Sequence, residues 1–400
     1  MQILLFNAGS SSLKAALVES VDGTVRAHAL ADWAGDQTRY EYSASAAKGR
    51  SEQVPWNGHG EAVRHFLHDL THTPPIALGD FSALSAVGHR VVHGGPFTQA
   101  VRITPEIRDR ISALADLAPL HNPPSLEALA AAEVELPNVP QIAVFDTAFH
   151  ATLPPEAYTY PLPQNWTKEW GIRRFGFHGL SHAFCAHRAA EMLGKPDLRL
   201  VICHLGHGCS ASAVKAGRCI DTSMGFTPLE GLMMATRSGS IDPSIVLHVQ
   251  QHHGLAPEQV ETTLNRESGL LGVSGISADM REILAATEAG NEHARLALDI
   301  YAHRVRQTIG AFAVTMGGID ALVFTAGVGE NASAVRQQTC AGLECLGIKL
   351  DVEANRSRRP DSDVATKDSP ARILIVATRE DVTMLREVIR VLEAGITATS

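Results

Sequence analysis

The chain has 400 residues, 45% of them hydrophobic, and 34 Lys and Arg against 43 Asp and Glu give it a net charge of -9. That length exceeds one core and fits two domains of roughly 150 to 200 residues each, while the charge excludes a general basic field for nucleic acid. Any bound anion must therefore be held by a local site. No apolar run reaches the length of a membrane span, and the opening Met1–Phe6 is broken at once by Asn7, so a soluble, cytoplasmic protein is expected. Six cysteines contain no C-x-x-C pair, which argues against a zinc ribbon and for reduced, mostly buried thiols.

The first element reads as a hairpin. Ile3 to Phe6 is apolar, Asn7 to Ser12 is a small polar turn, and Leu13 to Val18 resumes the strand. The turn offers the hydroxyls of Ser10, Ser11 and Ser12, and Lys14 adds a compact cation for a phosphate, although no Walker A pattern is present. Residues 35–60 are polar and read as exposed strands and loops, after which Val63, Phe66, Leu67 and Leu70 share one stripe of a helix over 61–70. A strand then carries Arg90 into Gly94-Gly95-Pro96. Arg90 is either a planar fork for a carboxylate or phosphoryl oxygen, or an edge-strand arginine in a salt bridge. Beyond the rigid loop 117–124, Ser125 is placed to cap a helix running to about Glu135. The strand Ile142 to Phe145 ends at Asp146, either at the carboxyl edge where open α/β sheets face their ligands or as a turn aspartate capping the next segment.

Four prolines in 151–163 mark a domain boundary. Past it, Ser181 is placed to cap a helix that Gly194 ends. His178 and His182 stand four apart, but no carboxylate lies at suitable spacing for a metal site, so a histidine donating to an anion or one satisfied in the core is preferred. Residues 200–214 then repeat the opening pattern of strand, Gly206-His207-Gly208 turn and strand. Laying Gly9 on Gly206 puts Phe6 on Cys203 and Leu17 on Val214, which points to duplicated halves whose turns cradle phosphate with backbone amides. Arg237 sits in a small-residue turn, like Arg90. Asp279 and Arg281 read most simply as a helix start and an ion pair. A long helix over 294–316 leads to a strand at 321–325 and a second glycine-rich exit, Ala326 to Asn331; the charged stretch 353–369 reads as a solvated loop. A last strand from Arg372 to Ala377 precedes Glu380, which either favours a helix dipole or joins a magnesium water shell.

Nine segments together resemble the acetate kinase family, of the superfamily of acetate and sugar kinases, chaperone ATPases and actin, through essentially the whole chain. They are FNAGSSSLK (6–14), GHRVVHGG (88–95), LHNPP (120–124), FDTAFH (145–150), FGFHGLSH (175–182), CHLGHGCS (203–210), TRSGSIDP (236–243), SADMR (277–281) and FTAGVGEN (324–331). The resemblance implies an α/β fold of two ribonuclease-H-like, actin-like ATPase domains with an ATP cleft between them. Residues 1–150, joined by the C-terminal helix 381–400, form its acyl-substrate and phosphate domain, and residues 151–380 its nucleotide domain. It also implies direct, reversible phosphoryl transfer from ATP to acetate, giving acetyl phosphate and ADP, with magnesium or in its place manganese. A homodimer in the cytoplasm, binding neither nucleic acid nor membrane, belongs to the same expectation.

By the same resemblance, Asn7 and Glu380 hold the metal. Ser10, Ser12 and Lys14 take phosphates with His204, Leu205, Gly206, His207 and Gly208, while Asp279, Met280 and Arg281 with Gly327, Val328, Gly329, Glu330 and Asn331 serve the adenosine side. Arg90 and Arg237 clamp the carboxylate and the γ-phosphoryl, His178 stabilises the transition state, and Val92, Leu120, Phe177 and Pro228 line the pocket for the acetate methyl. Asp146 carries a family role as acid or base, yet acetate is already ionised at pH 7, so it is expected to orient Arg90 or a metal-bound water. Three positions depart from the family pattern: His207 where Asn is usual, Ser240 where Asp is, and Ala235 where Gly is. A protonated His207 would add charge to the phosphate site, so nucleotide binding is expected to weaken from pH 6 to 8. A propionate or other short-acyl kinase shares every motif, whereas a nucleotide switch without acyl transfer has no need of Arg90, Asp146, His178 and Arg237 together.

Overall fold

The computed structural model describes residues 1–44, 49–115 and 122–397. Two compact units divide the chain: Met1–Ala148 with Arg379–Ser400, and Phe149–Thr378. Among the described residues, no helix is long and apolar enough to cross a membrane.

The first unit is built on an eight-stranded sheet of β1 (Gln2–Ala8), β2 (Ser12–Glu19), β3 (Val25–Asp32), β4 (Thr38–Ala44), β5 (Arg50–Val54), β6 (Leu84–Val91), β7 (Val101–Arg102) and β8 (Gln141–Phe145), in the order β5-β4-β3-β2-β1-β6-β8-β7. Period-two alternation turns Leu13, Ala15 and Leu17 of β2 inward, where the helices His59–His72 and Asn122–Glu135 cover the sheet with Val63, Phe66, Leu67, Ala128 and Ala132. Each large apolar side chain buried there contributes about 1.5–3 kcal/mol. Strands β1, β6 and β8 run parallel, so Asn7, Arg90 and Asp146 all fall at the carboxyl end of the sheet.

Two expectations change in this unit. The polar stretch 35–60 is not all exposed: β4 alternates, and its Tyr40 and Tyr42 rings enter the core. Ser125 is not a cap, because the helix already includes Asn122, Pro123 and Pro124, and proline is well suited to a first turn whose amides have no helical partner.

The second unit has a six-stranded sheet of β9 (Arg199–Leu205), β10 (Cys209–Lys215), β11 (Arg218–Thr222), β12 (Ala321–Thr325), β13 (Ser362–Asp363) and β14 (Arg372–Ile375), in the order β11-β10-β9-β12-β14-β13. Removing the extra edge strands leaves β3-β2-β1-β6-β8 in one unit and β11-β10-β9-β12-β14 in the other, each an antiparallel meander continued by parallel strands. The duplication is therefore one of topology, as the twin hairpins suggested. Their registers differ by one residue. Four residues separate the paired Ala8 and Leu13, and three, Gly206 to Gly208, separate Leu205 and Cys209. Phe6 does fall on Cys203, but Leu17 then matches Ala213 rather than Val214, the shift that one inserted turn residue imposes on a strand.

The helix expected from Ser181 begins earlier, at Gly179, with His178 as its N-cap in the left-handed region at φ 56. Charged residues 353–369 contain the helix Val352–Ser357 and β13 rather than loop alone. All six cysteines are free, and of them Cys345 is exposed.

Candidate active site

At the sheet edge of the first unit, four side chains form a chain of hydrogen bonds. Arg90 donates Nε and Nη2 to Asp146 Oδ1 and Oδ2 (3.0 and 2.5 Å) and Nη1 to Asn7 Oδ1 (2.8 Å), while Asn7 Nδ2 donates to Glu380 Oε2 (3.0 Å). Arg90 is thus ion-paired bidentately, as the salt-bridge reading expected, although β6 lies inside the sheet rather than at its edge. Burial works against the guanidinium charge, but Asp146 and Glu380 outweigh it and hold the proton more firmly than usual. The adjoining turn carries Ser10, Ser12 and Lys14, the last exposed and opposite Asn7 across the hairpin. Gly9 closes this turn with its amide on the Ser12 carbonyl (2.8 Å), and its own carbonyl accepts the His59 Nε2 proton (2.8 Å).

In the second unit, histidines gather at the Gly206–Gly208 turn. The His178 and His204 rings stack with centroids 4.1 Å apart, and each Nδ1 bonds a serine, Ser210 Oγ (2.9 Å) and Ser181 Oγ (2.8 Å) respectively. A Cβ placed on Gly208 would meet His178 Nε2 at 3.4 Å and Arg237 Nη1 at 3.5 Å, and one on Gly206 would meet His204 Nε2 at 3.6 Å. Two imidazole nitrogens and a guanidinium therefore lie close to the backbone of this glycine turn. Arg237 is steadied by Nη1 on the Pro228 carbonyl (3.2 Å), and burial lowers its pKa. Deeper in, His150 Nε2 donates to the Phe177 carbonyl (2.9 Å), and burial pushes its imidazole down to about 4.

Parallel pairing of β9 with β12 sets the second glycine-rich exit beside this turn, with Ala326 Cβ 3.7 Å from the Cβ position of Gly206. Gly327 faces open space, and Gly329 packs on the Phe324 backbone. Val328 is half-buried and Asn331 exposed, its Nδ2 on the Gly327 carbonyl (2.8 Å). Glu330 Oε1 accepts the amides of Ala326 (2.9 Å) and Thr378 (3.0 Å), so it braces strand ends. Asp279 caps the helix Met280–Glu288, Arg281 folds back on it while 90% exposed, and Met280 is buried, which is the helix start and ion pair of the simpler reading. The Arg281 hydrogen bonds hold Asp279 down to about 2. Among the described residues, no hydrogen bond ties these three to the glycine turn. Leu205 is likewise buried and offers only backbone. Of the expected methyl pocket, Val92 is buried in the first unit, Phe177 and Pro228 belong to the second, and Leu120 lies outside the described residues.

Magnesium would need a few carboxylate or carbonyl oxygens with retained waters. Arginine only donates, so the Asn7 atom facing Arg90 must be its oxygen and the one facing Glu380 its amide nitrogen. Asn7 is thus engaged at both ends and bridges Arg90 to Glu380, with a second lone pair left on its oxygen. Among the described residues, no group of three or more His, Cys, Asp or Glu forms a closed cage. A single carboxylate fits magnesium, which keeps several waters and takes further oxygens from phosphates.

The profile of the Acetokinase family matches residues 2–386. The chain belongs to the acetokinase family. An acetate kinase of Gloeothece citriformis is 49% identical over 97% of this chain and 98% of its own. The crystal structure of Porphyromonas gingivalis acetate kinase superposes with TM-score 0.90 at 37% identity, covering 98% of this chain and 99% of that one. A propionate kinase from Francisella tularensis gives 0.89 at 36%, covering 96% and 98%.

Within this acetokinase, two departures from the usual pattern are absorbed locally. Ser240 Oγ accepts the Gly231 amide (3.0 Å), a bond that an aspartate oxygen would also accept. Ala235 is not among the residues of positive φ and donates its amide to the His207 carbonyl (3.1 Å), so no glycine is required there. The supporting residues Ser210, Ser212, Arg174 and Arg336 escaped the sequence reading. Arg174 collects the carbonyls of Thr222, Ser223 and Met224 and pairs with Glu230, and buried Arg336 holds the Gly329 and Glu330 carbonyls.

Proposed function

We propose that the chain is an acetate kinase that transfers the γ-phosphoryl group of ATP to acetate. The observation that carries this reading is the convergence of His178 Nε2 and Arg237 Nη1 on Gly208, two donors at a turn made for phosphate. One P–O bond breaks at the β,γ-bridging oxygen, and one forms to a carboxylate oxygen of acetate. Acetyl phosphate and ADP result, and no proton need move.

Such a transfer asks little covalent help; it asks for aligned anions and neutralised charge on the equatorial oxygens. Arg90, aimed by Asp146 and Asn7, takes the carboxylate; Arg237 takes the γ-phosphoryl; His178 donates to it. Lys14, the serine turn and the Gly206–Gly208 amides hold the other phosphates, and the segments 279–281 and 327–331 serve the adenosine side. Asn7 and Glu380 would hold magnesium, or manganese in its place, which would screen the phosphate charge. The unit carrying Arg90 is the acyl and phosphate domain, and the other is the nucleotide domain.

A cytoplasmic homodimer, free of membrane and nucleic acid, completes the proposal. The helix Pro243–His253 supports the dimer: it buries no residue, yet exposes Ile245 (48%) and Leu247 (57%). Light scattering would read the mass directly.

The test is hydroxylamine trapping of acyl phosphate from ATP, magnesium and acetate, with propionate and butyrate beside it. Acetate-dependent trapping that disappears in Arg237→Ala is expected. Faster turnover of propionate would assign the chain to propionate instead, and ATP hydrolysis without trapping would leave a nucleotide switch.

A further inference from the structure

Successive inward positions on β10 place Ser210 and Ser212 on one face, and one turn of helix separates His178 from His182. The two pairs mesh. His178 Nδ1 lies 2.9 Å from Ser210 Oγ, Ser210 Oγ 2.7 Å from His182 Nε2, and His182 Nδ1 2.8 Å from Ser212 Oγ. Ser210, His182 and Ser212 are each 0% exposed, so water does not complete their hydrogen bonding.

Counting protons gives the line a direction. Burial, with His150 and His204 nearby, keeps His182 neutral, with one N–H. Each serine has one hydroxyl proton, and among the described residues neither hydroxyl has a partner outside this line. If Ser212 donates to His182 Nδ1, then His182 Nε2–H donates to Ser210, and Ser210 donates to His178 Nδ1. Every hydroxyl proton is used. Reversing the line leaves the Ser212 proton buried without an acceptor, and pointing both imidazole N–H groups at Ser210 does the same to its proton, at a cost of about 1–3 kcal/mol.

We propose that Ser212, His182 and Ser210 form a directional hydrogen-bond relay that fixes His178 as the neutral tautomer with its proton on Nε2, the atom beside Gly208. The inference rests on the reading of His178 as a donor to the transferring phosphoryl group. It makes the three residues positioning residues: they touch no substrate, and they decide which nitrogen of His178 holds the proton. Forming an imidazolium at His178 would require the whole line to invert.

The tautomer can be read without any activity, so its failure is distinct from failure of the kinase assignment. In full-length protein with ¹⁵N-labelled imidazoles at pH 7, His178 is expected to show a bare, hydrogen-bonded Nδ1 and a protonated Nε2. A protonated Nδ1 would overturn the relay. Ser210→Ala removes the donor to Nδ1, so a mixture of tautomers is expected, with kcat down by about tenfold or more and KM for ATP within about twofold. Ser210→Thr, which keeps the hydroxyl, should recover the single tautomer and most of kcat. An unchanged His178 spectrum in Ser210→Ala would show that Ser210 only packs.

Discussion

With Nε and Nη2 of Arg90 spanning both oxygens of Asp146, that carboxylate is shaped to aim a guanidinium, and acetate brings no proton for it to remove. Asp146→Asn keeps the size and one acceptor but loses the charged two-point grip. A misplacement of about 1 Å can cost ~10²-fold, so kcat is expected to fall roughly 10- to 100-fold while the pH–rate profile keeps its shape. Steady-state kinetics from pH 6 to 9 checks this. Loss of one titrating limb would make Asp146 an acid or base, and near-normal turnover would deny it either role. At this scale the residues proposed to act on ligands were legible, because Arg90, Asp146, His178 and Arg237 stand in turns or apolar runs where a charge needs a reason. Their supports were not: nothing in the spacing of Ser210 and Ser212 announces that both point at a histidine four residues along another element.

Elements were legible where one periodicity dominated, as in the buried run of β9 or the stripe of His59–His72, and obscure where a polar surface hid a core face, as in β4. The hairpin turns were found by their glycines, but their electrostatics depend on what packs around them. His207 shows the difference. Sequence alone set its titration across pH 6 to 8; burial, and next the charge of Arg237, lower its pKa. A base with a lowered pKa is already neutral at pH 7, so the window in which protonation aids binding moves down. Calorimetric ADP affinity, taken relative to His207→Asn to cancel titration of the phosphate, should be flat from pH 7 to 8 and tighten only below about 6.5. A difference that grows steadily from pH 8 to 6 would return the titration to its ordinary range.

Among the described residues both units bury imidazoles, His59, His89 and His93 in the first and His150, His182 and His204 in the second; burial holds some of them well below their ordinary range. The first unit buries His89, which burial pushes down to about 4 despite its Gln141 partner, while the second buries His150, also near 4, and His182, lowered further by its histidine neighbours. The unfolded chain takes up protons at these sites near pH 6.5, whereas the folded chain does so only near 4 at His89 and His150 and well below the ordinary range at His182, so stability is fully present above pH 6.5 and drains away as pH falls. One imidazole with these values costs about 2 kcal/mol by pH 5. Among the described residues, the fully buried imidazoles that burial holds well below their ordinary range number two in the second unit and one in the first, which predicts that the second unit loosens first. Hydrogen exchange at pH 7 and 5, corrected for intrinsic rates, should show the larger loss of protection in β9, β10 and the helix Gly179–Leu193, and the smaller in β1 and β6. His89→Gln should reduce the loss in β1 and β6 alone. Equal losses in both units, or an earlier loss in the first, would mean that groups other than these imidazoles govern the acid response, with carboxylate pairs such as Arg50–Asp69 in the first unit the next to test.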